Sequence, residues 1–220
     1  MKRSIIITAG GLGKRMGGEL PKQFLMLHDK PVLLHTLERF FAFDQEAQII
    51  ITLPKEWQEY WQTLLRKYQI TIPHDLIDGG QERFHSIQNA LEICKGEQIA
   101  IHDGVRPLVQ LETIARCFEG LQHAKAVVPV LDLKDSLRKG SLTHSEHVDR
   151  TNYYLVHTPQ CFEAQTLQKA YAKGFQAHFT DDASVVEALG ICPLLVPSNE
   201  ENIKITSPLD LVISSVFLQK

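Results

Sequence analysis

Residues 4–16 read Ser4-Ile5-Ile6-Ile7-Thr8-Ala9-Gly10-Gly11-Leu12-Gly13-Lys14-Arg15-Met16, with Pro21-Lys22 a few positions further on. A β-branched run passes straight into three glycines and then three cations. Glycines let backbone N–H groups approach an oxyanion with no Cβ in the way, and a following helix N-terminus adds positive potential. The stretch therefore predicts the first strand of an α/β sheet ending in a seat for the phosphates of a nucleoside triphosphate. Arg15 and Lys22 are the candidate neutralising charges.

Two commoner phosphate motifs fail on the same residues. A dinucleotide-binding fingerprint needs a third glycine three residues after Gly13, where Met16 stands, and an acidic residue near the end of the second strand, where the chain has Ile51-Thr52-Leu53. A Walker loop needs Ser or Thr after its Gly-Lys pair, and Arg15 follows Gly13-Lys14.

The pattern outside this stretch fits one α/β domain. Short apolar runs over 4–8, 48–53, 98–102 and 124–130 alternate with helical periodicity over 31–43, 57–68, 83–94 and 111–122, which predicts a doubly wound, mostly parallel sheet. Pro31 suits a first helical turn, and Leu33, Leu34, Leu37, Phe40 and Phe41 recur at helical spacing as core. After Val130 the pattern breaks. Residues 131–156 are polar and charged and read as a two-stranded excursion, a β-arm inserted in the single domain 1–220. An isolated hairpin is marginal in water, so the arm needs something to lie on, and a second copy of the chain is the simplest candidate. Thr180-Asp181-Asp182-Ala183-Ser184 and Ser207-Pro208-Leu209-Asp210 both read as helix starts.

Composition narrows the partners. The 220 residues are 44% hydrophobic with a formal charge of -3, enough for a sizeable core and without the basic field that nucleic acid demands. Cys94, Cys117, Cys161 and Cys192 are widely spaced, with no Cys-x-x-Cys pair, which predicts reduced thiols and a cytoplasmic setting. No segment is long and apolar enough to span a membrane. The expected ligand is small and anionic.

Ligands of open α/β sheets sit at the carboxyl ends of strands, and two further loops there carry chemistry. Asp78-Gly79-Gly80-Gln81-Glu82-Arg83, with Ser86 in the helix beyond, could lay backbone against a flat base or simply cap the helix. In His102-Asp103-Gly104-Val105-Arg106-Pro107, Asp103 could hold Mg²⁺ or orient a hydroxyl and Arg106 could bind an anion; equally, the two could pair across the turn. Residues 202–206, Asn202-Ile203-Lys204-Ile205-Thr206, read as strand-like, with Lys204 opposite the isoleucines, either facing an anion or snorkelling at an edge. The scattered histidines show no ligand spacing.

In order along nearly the whole chain stand A-G-G-x-G-x-R-M-x(4)-P-K, D-G-G-x-x-R-x-x-S, H-D-x-x-R-P, V-D-R, T-P-Q-x-F, T-D-D-A-S and N-I-K-I-T. This ordered set resembles the 2-C-methyl-D-erythritol 4-phosphate cytidylyltransferases of the non-mevalonate isoprenoid pathway. The resemblance implies a Rossmann-like sheet of nucleotidyltransferase type, a dimer made through the arm, and Mg²⁺-dependent transfer of CMP from CTP to a polyol phosphate. By position it gives Ala9, Gly10, Gly11 and Gly13 to the triphosphate, Gly80 and Ser86 to the cytosine, and Gly104 to the nucleotide. Arg15 and Lys22 take the α-phosphate and the leaving pyrophosphate. Asp103, Arg106, Thr158, Thr180 and Lys204 surround methylerythritol phosphate, with Ser136 and Arg150 reaching over from a partner's arm. Gly10, Gln81, Gly104-Val105 and Ser136 depart from the residues usual in that family. The sister family that uses ribitol 5-phosphate shares the glycine, D-x-V-R-P and T-P-Q motifs, but matches residues 148–150 and 180–184 less well.

Overall fold

The computed structural model describes residues 1–11 and 20–219. Its centre is an eight-stranded sheet. β1 (Arg3–Thr8) pairs in parallel with β4 (Gln48–Leu53) on one side and β6 (Gln98–Asp103) on the other, and β5 (Asp75–Asp78) extends the β4 edge. β2 (Met26–Leu27) and β3 (Lys30–Pro31) form a separate two-stranded piece before the first long helix. The expected strands over 4–8 and 48–53 are thus present within a residue.

The alternation of a strand divides the isoleucines between two cores. Ile5, Ile7, Ile49 and Ile51 face α1 (Val32–Phe43), α2 (Lys55–Lys67) and α4 (Leu111–Gly120), where Leu33, Leu37, Phe40, Trp61 and Ile114 are buried. Ile6, Ile50, Ile99 and Ile101 face α3 (Arg83–Leu91), α5 (Ala164–Tyr171) and α6 (Asp182–Glu187), against Phe84, Ile87, Leu167 and Val185. Helices cover both faces, as the doubly wound reading predicts. Pro31 stands just before α1, not in its first turn, because its extended backbone pairs with Met26.

The far half of the sheet is not purely parallel. β7 (Ala126–Asp132) is separated from β6 by β11 (Gln160–Glu163), which is antiparallel to both. β12 (Leu194–Pro197) pairs in parallel along one edge of β7, and β10 (Tyr154–Val156) pairs antiparallel along the opposite edge, the one that β11 also uses. The arm is correspondingly shorter than 131–156: Tyr154 pairs with Asp132 and Val156 with Val130 in the main sheet. The excursion is 133–153, built on β8 (Leu137–Gly140) and β9 (Ser145–Val148), which pair with each other and with nothing else among the described residues.

Both expected caps form. Asp181 and Ser207 accept the N3 amides of α6 and of α7 (Pro208–Leu218), with the N3 side chains, Ser184 and Asp210, returning the bond. Residues 202–206 are not a strand. Their one backbone tie to the sheet side is Ile205 N–H to the Val105 carbonyl, 2.9 Å, which buries Ile205 completely and leaves no ladder to propagate.

Candidate active site

In the parallel register Thr8 stands opposite both Thr52 and Asp103, and Leu53 opposite Asp78. The loops that follow these strands therefore open at one edge of the sheet. Between them lies a cavity of about 280 Å³ lined by Gly10, Gly11, Lys22, Gly80, Ser86, Asp103 and Lys204, among others.

The glycine loop is fixed from below. Ala9 N–H donates to the Thr52 carbonyl at 2.9 Å, and the Ala9 carbonyl accepts the Gln23 side-chain amide at 2.7 Å. Gln23 and Phe24 are buried in the 3-10 turn Lys22–Phe24, with Phe24 edge-on to Tyr60 at 5.1 Å. Two buried neighbours thus hold Lys22 against the loop: a Cβ placed on Gly11 would sit 3.6 Å from Lys22 Cε. Gly13 and Arg15 lie outside the described residues.

The second loop is a tight cap. Gly79 N–H reaches the Leu53 carbonyl at 3.0 Å, and Gly80 N–H donates to Ser86 Oγ at 2.9 Å. A Cβ on Gly80 would meet His85 Cβ at 2.4 Å, so only glycine permits this approach to α3. Ser86 Oγ would also lie 3.7 Å from a Cβ on Gly10, which brings the first two loops face to face.

Asp103 is the electrostatic centre. Its Oδ2 meets Arg106 Nε and Lys204 Nζ, both at 3.1 Å, and its Oδ1 lies 3.6 Å from Arg83 Nε. Burial pushes the carboxyl up, but Arg83, then Lys204 and Arg106, outweigh it and hold the group well below the usual carboxylate range. Asp103 is therefore an anion at any physiological pH.

Several residues assigned to substrate stand behind Asp103, not in the cavity wall. Arg106 is buried and already engaged, by Asp103 and through Nη1 to the Asn202 carbonyl at 2.7 Å, so the turn-pairing alternative describes it. Thr158 is also buried. Its hydroxyl accepts Asp103 N–H at 3.1 Å and donates to His102 Nδ1 at 3.0 Å, because His102 Nε2 must donate to the Arg106 carbonyl. Burial brings the pKa of His102 down to about 4, consistent with that neutral ring. Gly104 donates to the Thr8 carbonyl at 2.8 Å, and a Cβ there would crowd Leu33 and Thr8, so its place is a packing requirement. Thr180 lines a neighbouring cavity of about 360 Å³ with Phe84, Tyr171, Phe175 and Phe179. Ser136 and Arg150 are exposed on the arm, where Arg150 Nη1 donates to the Lys134 carbonyl; neither lines the cavity of its own chain.

Conversely, the sequence reading leaves Gln23, Tyr171 and Asp182 without a task, and quotes Arg83 only as a motif letter. Local pattern marks Asp182 only as a carboxylate in a helix start, and nothing in it marks Gln23 or Tyr171.

A glycine cradle, a narrow backbone slot and three cations around one carboxylate, on a doubly wound sheet, define the class: a nucleotidyltransferase. The family model described as 2-C-methyl-D-erythritol 4-phosphate cytidylyltransferase matches residues 4–220. The protein of that description from Bacteroides thetaiotaomicron is 50% identical over 219 residues, covering 99% of this chain and 100% of its own. The 4-diphosphocytidyl-2C-methyl-D-erythritol synthase structure from Anaerococcus prevotii superposes with a TM-score of 0.86 at 25% identity, covering 100% of this chain and 96% of that one. The Thermus thermophilus cytidylyltransferase structure gives 0.80 at 30% identity, with both chains fully covered at 100%. The chain belongs to the 2-C-methyl-D-erythritol 4-phosphate cytidylyltransferase family.

Proposed function

We propose that this chain transfers CMP from CTP to 2-C-methyl-D-erythritol 4-phosphate, giving 4-diphosphocytidyl-2-C-methyl-D-erythritol and pyrophosphate, a step of isoprenoid precursor biosynthesis. A phosphate oxygen of the polyol substrate attacks the α-phosphorus of CTP; the new P–O bond forms as the bond to the β-phosphate oxygen breaks. The attacking monoester has a second pKa of about 6, so it is largely dianionic at neutral pH and needs no general base. The reaction asks for cations and alignment. One observation carries the reading: Lys22 and Lys204 share one cavity with the Gly10-Gly11 cradle and with Asp103.

In this reading Gly10, Gly11 and Gly13 take the triphosphate, Lys22 and Arg15 the charge that passes to pyrophosphate, and Gly80 with Ser86 the edge of the cytosine. Lys204 and Asp103 face the polyol phosphate. Thr180, in the adjoining cavity, marks the side from which that substrate enters. Arg150 and Ser136 belong to the site of a second copy, because an exposed two-stranded arm with no further sheet partner among the described residues needs a surface to lie on. The exposed Tyr153, Tyr154 and Leu155 beside it supply apolar area for such a homodimer.

Mg²⁺ fits this donor set in one way. Asp103 Oδ2 is occupied by two cations at 3.1 Å, whereas among the described residues Oδ1 has the longer approach of Arg83. Among the described residues no group of three or more His, Cys, Asp or Glu gathers to bind a metal, so the protein would offer this carboxylate and the phosphates the rest. Bound there, the ion would neutralise triphosphate charge.

Four free cysteines support a reducing, cytoplasmic setting. No described helix is long and apolar enough to cross a membrane. Pyrophosphate release with CTP and Mg²⁺ tests the whole reading, comparing methylerythritol phosphate with ribitol 5-phosphate. Release with the first is expected; preference for the second would keep the chemistry and change the pathway.

A further inference from the structure

One cation in the cavity wall has no part in the scheme above. Arg83 opens α3 and directs both Nη atoms at Asp182, 2.7 and 2.6 Å away. Asp182 is fully buried and also accepts the hydroxyl of buried Tyr171 at 2.6 Å. The helix that carries Asp182 is pinned in turn, since Gln160 donates to Asp181 at 2.7 Å and accepts Ala183 N–H at 2.9 Å. The fork fixes the plane of the guanidinium, and its Nε lies 3.6 Å from Asp103 Oδ1.

We propose that Arg83 is a positioning residue for the transfer: the chain Tyr171, Asp182, Arg83, Asp103 fixes the direction in which the Asp103 carboxylate faces the cavity. It does not bind phosphate. The charge of Arg83 is already balanced by Asp182, a carboxylate with no exposure to water, and its position is fixed by that fork, whereas Lys204 reaches Asp103 with 41% of its side chain exposed and is free to turn. Each link comes from a different element (α5, α6, α3 and β6), so the carboxylate is referenced to the packed core and not to a loop. This inference rests on the reading that Asp103 faces the polyol phosphate.

The test uses Arg83→Lys, Asp182→Asn, their double variant and Tyr171→Phe in the full chain. It measures turnover against polyol phosphate, CTP affinity by calorimetry, and folding by circular dichroism. Lysine keeps the charge but cannot span two carboxylates. Each of the first two is expected to lower kcat/KM for the polyol phosphate by about 10- to 100-fold, with CTP affinity kept within about threefold. The double variant should be no worse than the weaker single one, because both cut one chain. Tyr171→Phe should give a smaller loss in the same direction, about fivefold, and keeps the test valid if Asp182→Asn folds poorly. A loss of CTP affinity above about tenfold would make Arg83 a phosphate ligand; multiplicative losses, or losses that only track the unfolded fraction, would also overturn the proposal. So would full activity in folded variants. A wild-type chain silent with methylerythritol phosphate would instead overturn the functional reading and this inference with it.

Discussion

Replacing Gly80 by alanine puts the base-facing loop to a quantitative test. An ideal Cβ there falls 2.4 Å from His85 Cβ, 2.8 Å from the His85 carbonyl carbon and 3.0 Å from Ser86 N. Two of these are backbone atoms in the first turn of α3 and cannot rotate away. Relief to an ordinary contact requires the loop to retreat by about 1 Å, which stretches the bond from Gly80 N–H to Ser86 Oγ, now 2.9 Å, beyond hydrogen-bonding range. The lost bond costs about 1 kcal/mol and the overpacking about 1–3 kcal/mol, so stability should fall by about 2–4 kcal/mol. For a domain of this size that lowers the melting temperature by about 5–15 °C. Gly10→Ala is the control. Its Cβ would have nothing nearer than Ser86 Oγ at 3.7 Å, an ordinary contact, so its melt should shift by less than about 2 °C. Both variants should bind CTP at least about tenfold more weakly, Gly80→Ala through a displaced loop and Gly10→Ala through a methyl in the cradle. Calorimetric melts and CTP titrations on the two proteins decide it. A Gly80→Ala protein as stable as wild type, or a Gly10→Ala protein that melts as early, would refute the geometry.

Lys204→Met should lower turnover by about two orders of magnitude with little change in stability, whereas Asp103→Asn should also destabilise by about 3–5 kcal/mol, because buried Arg106 loses its counter-ion. Steady-state kinetics and urea melts on the pair separate the two, and equal effects on stability would contradict the assigned environments. Burial brings both His102 and His157 down to a pKa of about 4. As pH falls from 6.5 towards 4 the unfolded chain takes up protons that the folded chain refuses, so each histidine should remove about 3 kcal/mol of stability across that window. An unmoved urea midpoint between pH 7 and pH 4.5 would show both rings to be solvated. Mixing Arg150→Ala with Lys22→Ala subunits should restore about a quarter of wild-type activity, since half of statistical dimers are mixed and each holds one intact site. No restoration would separate the arm from the partner's chemistry.

The parts of the molecule legible from sequence are those whose cause is local. Ile5 to Ile7 and Ile49 to Ile51 announce strands by composition; Leu33, Leu37 and Phe40 announce α1 by spacing; Ser207-Pro208 and Asp181 announce helix starts through their own side chains. β11 and β12 escaped because their existence depends on β6 and β7 lending edges, which neither Gln160–Glu163 nor Leu194–Pro197 carries in its pattern. The strand reading of 202–206 failed for the complementary reason: alternation is present, but only one backbone bond is within reach, so the period of two records the burial of Ile205 and nothing more. In the site, the sequence distinguished Lys22 and Asp103 as charges beside glycine turns, and Lys204 as a charge set opposite two isoleucines. It could not tell that Arg106 and Thr158 face inwards, because that depends on Asn202 and His102 arriving from elsewhere to receive them.

Those inward-facing residues explain how a site rich in cations can be both stable and ready for anions. Three cations surround Asp103, and their freedom differs. Arg106 is committed to the Asn202 carbonyl and Arg83 to Asp182, while Lys204 stands on an irregular segment with 41% of its side chain exposed. In the proposed reaction a substrate phosphate would replace Asp103 as the partner of Lys204 without leaving the carboxylate unpaired, because the two arginines stay. The exchange trades one ion pair for another, so solvent need not reorganise around a bare charge when the phosphates meet. The same arrangement accounts for the lack of a catalytic histidine in the cavity. His102 is fully buried and held neutral by its surroundings, and it is linked through the Thr158 hydroxyl to the Asp103 backbone N–H. A nucleophile that arrives already ionised leaves no proton to remove, and the fold devotes its polar interior to aiming one carboxylate and freeing one lysine.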